Sequence, residues 1–218
     1  MTDFARLMSD YFVKYLAGQK GSGSNTMKTY RDTFVQLLEF MDEKKHIRAD
    51  CIEVDSFSYD IINEFLEYLE KEKRVSISTR NNRLAAIRSF FKYTGYHEPK
   101  YLNISTSIRE ISKKKTEGRQ MNYLSVNAME HFLNSFDKTD HKELRCFCIV
   151  LLLYESGARV TELCNVRRYD LHLEKPYTMI LHGKGDKIRS VPLDGLVADV
   201  ISNYIPVSYT HLTLPTIA

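Results

Sequence analysis

Apolar side chains recur at helical spacing through the first hundred positions. Phe4, Leu7, Met8, Tyr11, Phe12, Tyr15 and Leu16 share one face and predict a helix over 3–17. The Gly/Ser-rich run 18–24 breaks it. Tyr30, Phe34, Leu37, Leu38 and Met41 predict a second helix over 25–45, with capping oxygens at Ser24, Asn25 and Thr26. Ile61, Ile62, Phe65, Leu66 and Leu69 predict a third over 58–73. Leu84, Ile87, Phe90 and Phe91 predict a fourth over 79–94, capped by Ser78 and stopped by Gly95.

The pattern then changes. A polar, lysine-bearing stretch over 105–120 reads as a linker between a helical domain at 1–104 and a second domain at 121–206. Within the second domain, Ser125 caps a helix to about 136. Another runs over 140–156, burying Phe147, Val150, Leu151 and Tyr154. Two short runs of strand type, 177–181 and 187–191, flank a Gly-Lys-Gly turn and predict a β-hairpin. A last helix is expected over 194–204. The fold class is therefore mainly α with a small antiparallel β-hairpin or sheet. The uncharged run at 207–218 breaks the preceding helical pattern and resembles a translated library-adapter sequence, so it is expected to be a non-native tail.

Charge sharpens this picture. The whole chain of 218 residues carries only +3, but residues 71–120 hold 13 basic and 4 acidic side chains, whereas the flanking regions are slightly acidic. A basic block inside a nearly neutral chain is a local phosphate-facing surface. The predicted fourth helix contributes Arg80, Asn82, Arg83, Arg88 and Lys92, a set of phosphate grips with one side chain able to read an adenine edge. Lys28 and Arg31 near the start of the second helix are further candidates, as is the lysine run 113–115. A charged helix face and a lysine run are, alone, ordinary solvated surface.

Other classes recede. No run of roughly 18 apolar residues is present to span a membrane, and the N-terminus has no signal-peptide pattern. Cys51, Cys146, Cys148 and Cys164 have no Cys-x-x-Cys pairing and no histidines at metal spacing, so a reduced, cytoplasmic protein is expected, with the three cysteines of the second half as buried free thiols and with no metal and no cofactor.

Two segments carry the chemistry. Tyr-Glu-Ser-Gly-Ala-Arg-Val-Thr-Glu-Leu closes an apolar helix at Gly157 and presents Arg159, with Glu162 one turn on. Gly-Lys-Gly-Asp-Lys-Ile-Arg-Ser-Val-Pro-Leu sets Lys184 in a tight turn, followed by Lys187 and Arg189. An arginine after a helix-ending glycine is often no more than a cap, and a Gly-Lys-Gly turn is usually only a hairpin. The turn is not a P-loop, since Gly-x-x-x-x-Gly-Lys-Ser/Thr is absent. Their conjunction, in this order, places a guanidinium fork and a titratable ammonium on rigid supports, as a site handling a phosphodiester requires.

These two segments resemble the tyrosine recombinase (phage integrase) family. Its Gly-x-Arg-x-x-Glu-Leu and Gly-Lys-Gly-x-Lys-x-Arg-x-Val-Pro-Leu patterns are filled at every fixed position. The resemblance implies a helical SAM-like core-binding domain followed by the first half of an α+β catalytic domain. It also implies binding of double-stranded DNA and, in the full-length protein, a homotetramer on DNA. Arg159 would grip the scissile phosphate, Lys184 would protonate the leaving 5′-oxygen, and Glu162 would orient its neighbours. Lys187 and Arg189 would be hairpin contacts to DNA. The family's His-x-x-Arg motif and nucleophilic tyrosine are not matched by any position here, so no nucleophile is assigned and the chain as it stands is expected to be inactive. A non-catalytic DNA-binding module, such as an excision or regulatory factor, and a helical interaction protein are the alternatives.

Overall fold

The computed structural model describes residues 1–116, 118, 122–183, 185 and 187–210, with 206–210 described for backbone alone. It divides into two compact units, Met1–Arg119 and Gln120–Ala218.

The first unit is helical. The chain opens with α1 (Asp3–Asp10), which passes without a break into a π-helical run, Tyr11–Gln19. α2 (Ser24–Lys45), α3 (Tyr59–Lys71), α4 (Ile77–His97) and α5 (Leu102–Glu110) follow. The side chain of Ser58 caps α3, and that of Ser76, not Ser78, caps α4. α2 begins at Gly23 without a side-chain cap, so the oxygens of Ser24, Asn25 and Thr26 do not serve the expected role.

α4 is the centre of this unit. Phe90 lies fully buried with its ring within 5.5 Å of the rings of Phe4, Tyr11, Phe34 and Phe91, all edge-on. Such contacts add about 0.5–1.5 kcal/mol each beyond burial. A helix enclosed on several sides must satisfy its polar residues internally. Arg80 does so against α3. It is 5% exposed, its Nε lies 3.2 Å from Glu70 Oε1, and its Nη1 donates to Ser112 O at 3.2 Å. Arg83 turns the other way and donates to Thr29 O on α2 at 2.9 Å.

Two expectations are corrected in this region. Gly95 does not stop α4, which continues to His97. A Cβ there would lie 2.6 Å from Ser105 Cβ, so the glycine admits α5 at close range. The linker does not begin at 105 either, because α5 occupies that stretch and Ile108 and Ile111 are buried in the core. The following residues are also held. Asn81 accepts from Lys114 N at 3.1 Å and donates to Lys114 O at 2.8 Å, while Lys114 Nζ reaches Glu70 at 2.8 Å.

The second unit joins α6 (Val126–Asn134), α7 (His141–Ser156), α8 (Val160–Cys164) and α9 (Gly195–Thr210) to a three-stranded antiparallel sheet in the order β1 (Leu171–His172), β2 (Thr178–His182), β3 (Ile188–Pro192). Ser125 and Asp140 cap α6 and α7 as their sequence positions suggest. The β2–β3 register pairs Met179 with Val191 and Leu181 with Arg189, which turns Met179 and Leu181 into the core. Phe147, Cys148 and Leu152 of α7 complete that core with Val197 and Ile201 of α9. Tyr154 is 53% exposed, not buried, and Cys146 is exposed while Cys148 is buried. α9 runs past the expected end at 204 to Thr210. Among the described residues no helix is long and apolar enough to cross a membrane.

Removing the Arg80 guanidinium leaves Glu70 paired only with the half-exposed Lys114 and strips Ser112 O of its donor. Arg80→Ala is expected to cost about 3 kcal/mol in urea unfolding of the first unit. Gly95→Ala, which forces α5 outward, is expected to cost about 1–3 kcal/mol in the same assay.

Candidate functional site

The two sequence segments meet at one carboxylate. α7 ends on Gly157 in the left-handed conformation at φ +57°, a geometry that costs glycine nothing. The chain then turns, and Arg159 precedes the first turn of α8 in an extended conformation. Glu162, one turn along, is 3% exposed and accepts from Arg159 N at 3.0 Å, as an acidic side chain does at the start of a helix. Its Oε1 also takes Arg159 Nη1 at 2.7 Å. From β3, Arg189 Nη2 reaches Oε2 at 2.9 Å. One buried carboxylate thus holds two guanidiniums from different elements.

Glu162 is kept ionised by this arrangement. The backbone N–H and guanidinium of Arg159 hold its carboxyl below the ordinary carboxylate range, with the charge of Arg189 adding to them. Arg159 keeps most of its surface free, with its side chain 74% exposed. A guanidinium aimed outward and fixed at its base is what binding an anion from solution needs.

The hairpin approaches the same carboxylate. Gly183 N donates to Lys187 O at 2.7 Å, closing the turn, and Gly185 is in the left-handed region at φ +76°. A Cβ on Gly183 would lie 3.3 Å from both Glu162 Oε1 and Lys187 O, so the glycine lets the neck of the hairpin press against Glu162. Lys184 itself lies outside the described residues. Lys187 is exposed. Arg189, expected as a hairpin contact to DNA, also reaches Glu162, with its side chain 43% exposed.

A second tie was invisible in the sequence. Asp170 is buried, accepts from Arg167 N at 2.8 Å, and faces His182 Nε2 at 3.1 Å. It fastens the end of β2, one residue before the turn, to the segment that follows α8. No spacing rule links residues 170 and 182.

Of the residues expected on a basic surface, the first unit divides them into two groups. Arg80 and Arg83 are engaged inside the unit, so their expected phosphate role is corrected to a structural one. Arg80 is buried and Arg83 half-buried because α4 lies at the centre of the unit. Asn82 and Lys92 are exposed and Arg88 is half-buried, with Arg88 and Lys92 one turn apart on one face. Lys28 and Arg31 are exposed on α2, next to the turn that Arg83 ties to α4. Among the described residues no cluster of His, Cys, Asp or Glu could hold a metal ion.

A helical first unit, then a helix-and-hairpin unit centred on an arginine–glutamate–arginine node, is an architecture of the integrase type. The family model described as "Phage integrase, N-terminal SAM-like domain" matches residues 10–99, and that described as "Phage integrase family" matches residues 122–213. The chain belongs to the phage integrase family of tyrosine recombinases. It is 28% identical to tyrosine recombinase XerD of Listeria innocua over 211 residues, 94% of this chain and 66% of that protein. Against tyrosine recombinase XerC of Staphylococcus aureus it is 28% identical over 200 residues, 91% of this chain and 63% of that one. The chain spans between 60% and 68% of the length of the curated relatives it matches. Its fold is similar to that of XerH site-specific recombinase bound to palindromic difH substrate, with TM-score 0.67 and 21% identity over 95% of this chain and 60% of that one. It is also similar to the Tn1549 transposon integrase in complex with transposon right end DNA, with TM-score 0.68 and 18% identity over 98% and 68%. At these identities the likeness is one of fold.

The sign of the pH dependence follows from Glu162. Its folded pKa is depressed, so the stabilisation it gives is present above its ordinary value of 4.5 and lost as pH falls through the lower, folded value. Thermal melts of the second unit are expected to drop between pH 6 and pH 3 more steeply in wild type than in Glu162→Gln. Equal slopes would show that the carboxylate carries no such role.

Proposed function

We propose that this chain is the DNA-binding and phosphate-gripping portion of a site-specific recombinase. The observation that carries the reading is the Glu162 node, which fixes Arg159 outward beside the neck of the lysine hairpin. Double-stranded DNA is the partner. Asn82, Arg88 and Lys92 of α4, with Lys28 and Arg31 of α2, form the contact face of the first unit. The DNA-bound complexes of XerH and of the Tn1549 integrase, whose folds this chain shares, support that choice.

In the proposed reaction a tyrosine hydroxyl attacks the scissile phosphate, forming a 3′-phosphotyrosyl bond and releasing a 5′-hydroxyl. The phosphoryl bond energy is retained in the adduct, so the strands rejoin by the reverse attack. Arg159 binds a non-bridging oxygen, where charge accumulates in the pentacoordinate transition state. Glu162 accepts from the Arg159 guanidinium and from its backbone N–H, sets the direction of the side chain, and is a positioning residue. Lys184 gives its proton to the departing 5′-oxygen. Lys187 contacts the DNA backbone beside it. The nucleophile and a second phosphate-binding arginine are not assigned to any residue of this chain. Accordingly, the chain alone is proposed to bind DNA without cleaving it, and the full-length protein to act as a tetramer on two duplexes.

Binding to duplex DNA is expected to weaken steeply with salt, because each phosphate contact releases condensed counterions. Arg88→Ala and Lys92→Ala should each lower the slope of log K against log salt by about 1. Arg80→Ala should leave that slope unchanged, since its guanidinium is occupied within the fold. Gel-shift titrations between 50 and 200 mM salt, a range over which several phosphate contacts change affinity by orders of magnitude, decide the matter. An affinity indifferent to salt would contradict DNA binding through this face.

A further inference from the structure

The first unit contains a cavity of about 380 Å³ that the proposed DNA face does not use up, at the end of α4 farthest from Asn82. Its volume falls in the range of small-ligand sites, about 300–1,000 Å³. Its walls are aromatic and cationic. Tyr15, Tyr93, Tyr96 and His97 supply rings, and Lys92 and Arg109 supply charge. No carboxylate lines it.

The rings are already arranged around one another. Tyr93 and His97 have centroids 4.2 Å apart, Tyr15 and Tyr93 5.3 Å, and Tyr96 meets His97 edge-on at 5.4 Å. Tyr96 is 84% exposed, an aromatic face without a cover at the mouth. Such a face stacks on any planar heterocycle. Lys92 lies one turn before Tyr96 on α4, and Arg109 lies in the last turn of α5. Both are exposed, and neither makes an ion pair among the described residues.

Two backbone features are built into the same place. The π-helical run over Tyr11–Gln19 brings Tyr15 and Gln19 to the wall, and Lys20 N bonds to Tyr15 O five residues back at 2.8 Å. π-Helical turns interrupt regular helices mostly where a side chain must be re-aimed, often at functional sites. Gly95 and Ser105 also line the cavity, at the point where the missing Cβ of Gly95 lets α5 approach α4.

We propose that this cavity binds a single nucleotide unit, with its base against Tyr96 and His97 and its phosphate between Lys92 and Arg109. The unit is either a free nucleoside monophosphate or an unpaired nucleotide of a DNA strand. The chemistry of recognition is the same for both. It shares Lys92 with the proposed duplex contact but is distinct in its base recognition, because a paired, stacked base cannot present its face to a tyrosine.

Calorimetric titration of the whole chain tests it in two arms. The first uses dAMP, deoxyadenosine and inorganic phosphate. The second uses a duplex ending in one unpaired deoxyadenosine and the same duplex with an abasic residue in its place. If free nucleotide is the ligand, dAMP binds about tenfold more tightly than either of its parts, and Tyr96→Ala removes that advantage. If a DNA strand is the source, dAMP shows no such gain, the unpaired adenosine improves duplex binding by about tenfold over the abasic end, and Tyr96→Ala abolishes the difference. Tyr96 is exposed enough that this variant should keep the fold, which the melting temperature verifies. Absence of base discrimination in both arms, or discrimination that survives Tyr96→Ala, overturns the proposal. Loss of all duplex binding would instead strike at the DNA-binding reading, and the dAMP arm would still judge the cavity.

Discussion

A carboxylate taken out of water must be surrounded by donors, and Glu162 shows what a fold can build on that requirement. Its two oxygens collect the backbone N–H and guanidinium of Arg159 and the guanidinium of Arg189. Each of these bonds ties a different piece of the second unit. The first fixes the start of α8, the second sets the outward direction of Arg159, and the third pulls β3 against the helix. Gly183 then closes the gap between the hairpin neck and the same carboxylate. Without the charge on Glu162, two guanidiniums would face each other with nothing between them. The hairpin and Arg159 would lose their common reference.

The first unit solves a related problem with a helix instead of a side chain. α4 is enclosed by α2, α3 and α5, so its polar residues split by direction. Arg80 and Arg83 point into neighbouring helices and bind acceptors there. Arg88, half-buried, and Lys92, exposed, make no ion pair among the described residues. Charge in this region therefore divides between side chains that hold the fold together and side chains that carry no such bond. Glu70 extends cohesion to the residues beyond α5 by pairing with both Arg80 and Lys114.

Much of this was legible in the chain. The helical periodicity placed α2, α3, α6 and α7 within a residue or two, because each has an apolar stripe and all but α2 also have a side-chain cap. The hairpin strands were legible from residue type and the flanking glycines. What escaped was set by tertiary contact. Gly95 reads as a helix stop, yet it serves a close approach to Ser105 that no local rule encodes. α5 was hidden by its polar composition, although Ile104, Ile108 and Ile111 sit at helical spacing and could have revealed it. The internal roles of Arg80 and Arg83 could not be read at all, since composition does not say which face of a helix is covered. At the site, the pairing of Glu162 with Arg159 follows from their spacing, whereas Arg189 and the Asp170–His182 contact depend on the sheet register.

Under the proposed function, Arg159 is the guanidinium that meets a phosphate while Arg189 stays bound to Glu162. Guanidinium nitrogen resonances of the labelled chain, followed while duplex DNA is added, address it directly. The account predicts that Arg159 shifts with DNA and that Arg189 remains where Glu162 holds it. Movement of Arg189 with Arg159 unaffected, or no response from either, would contradict it.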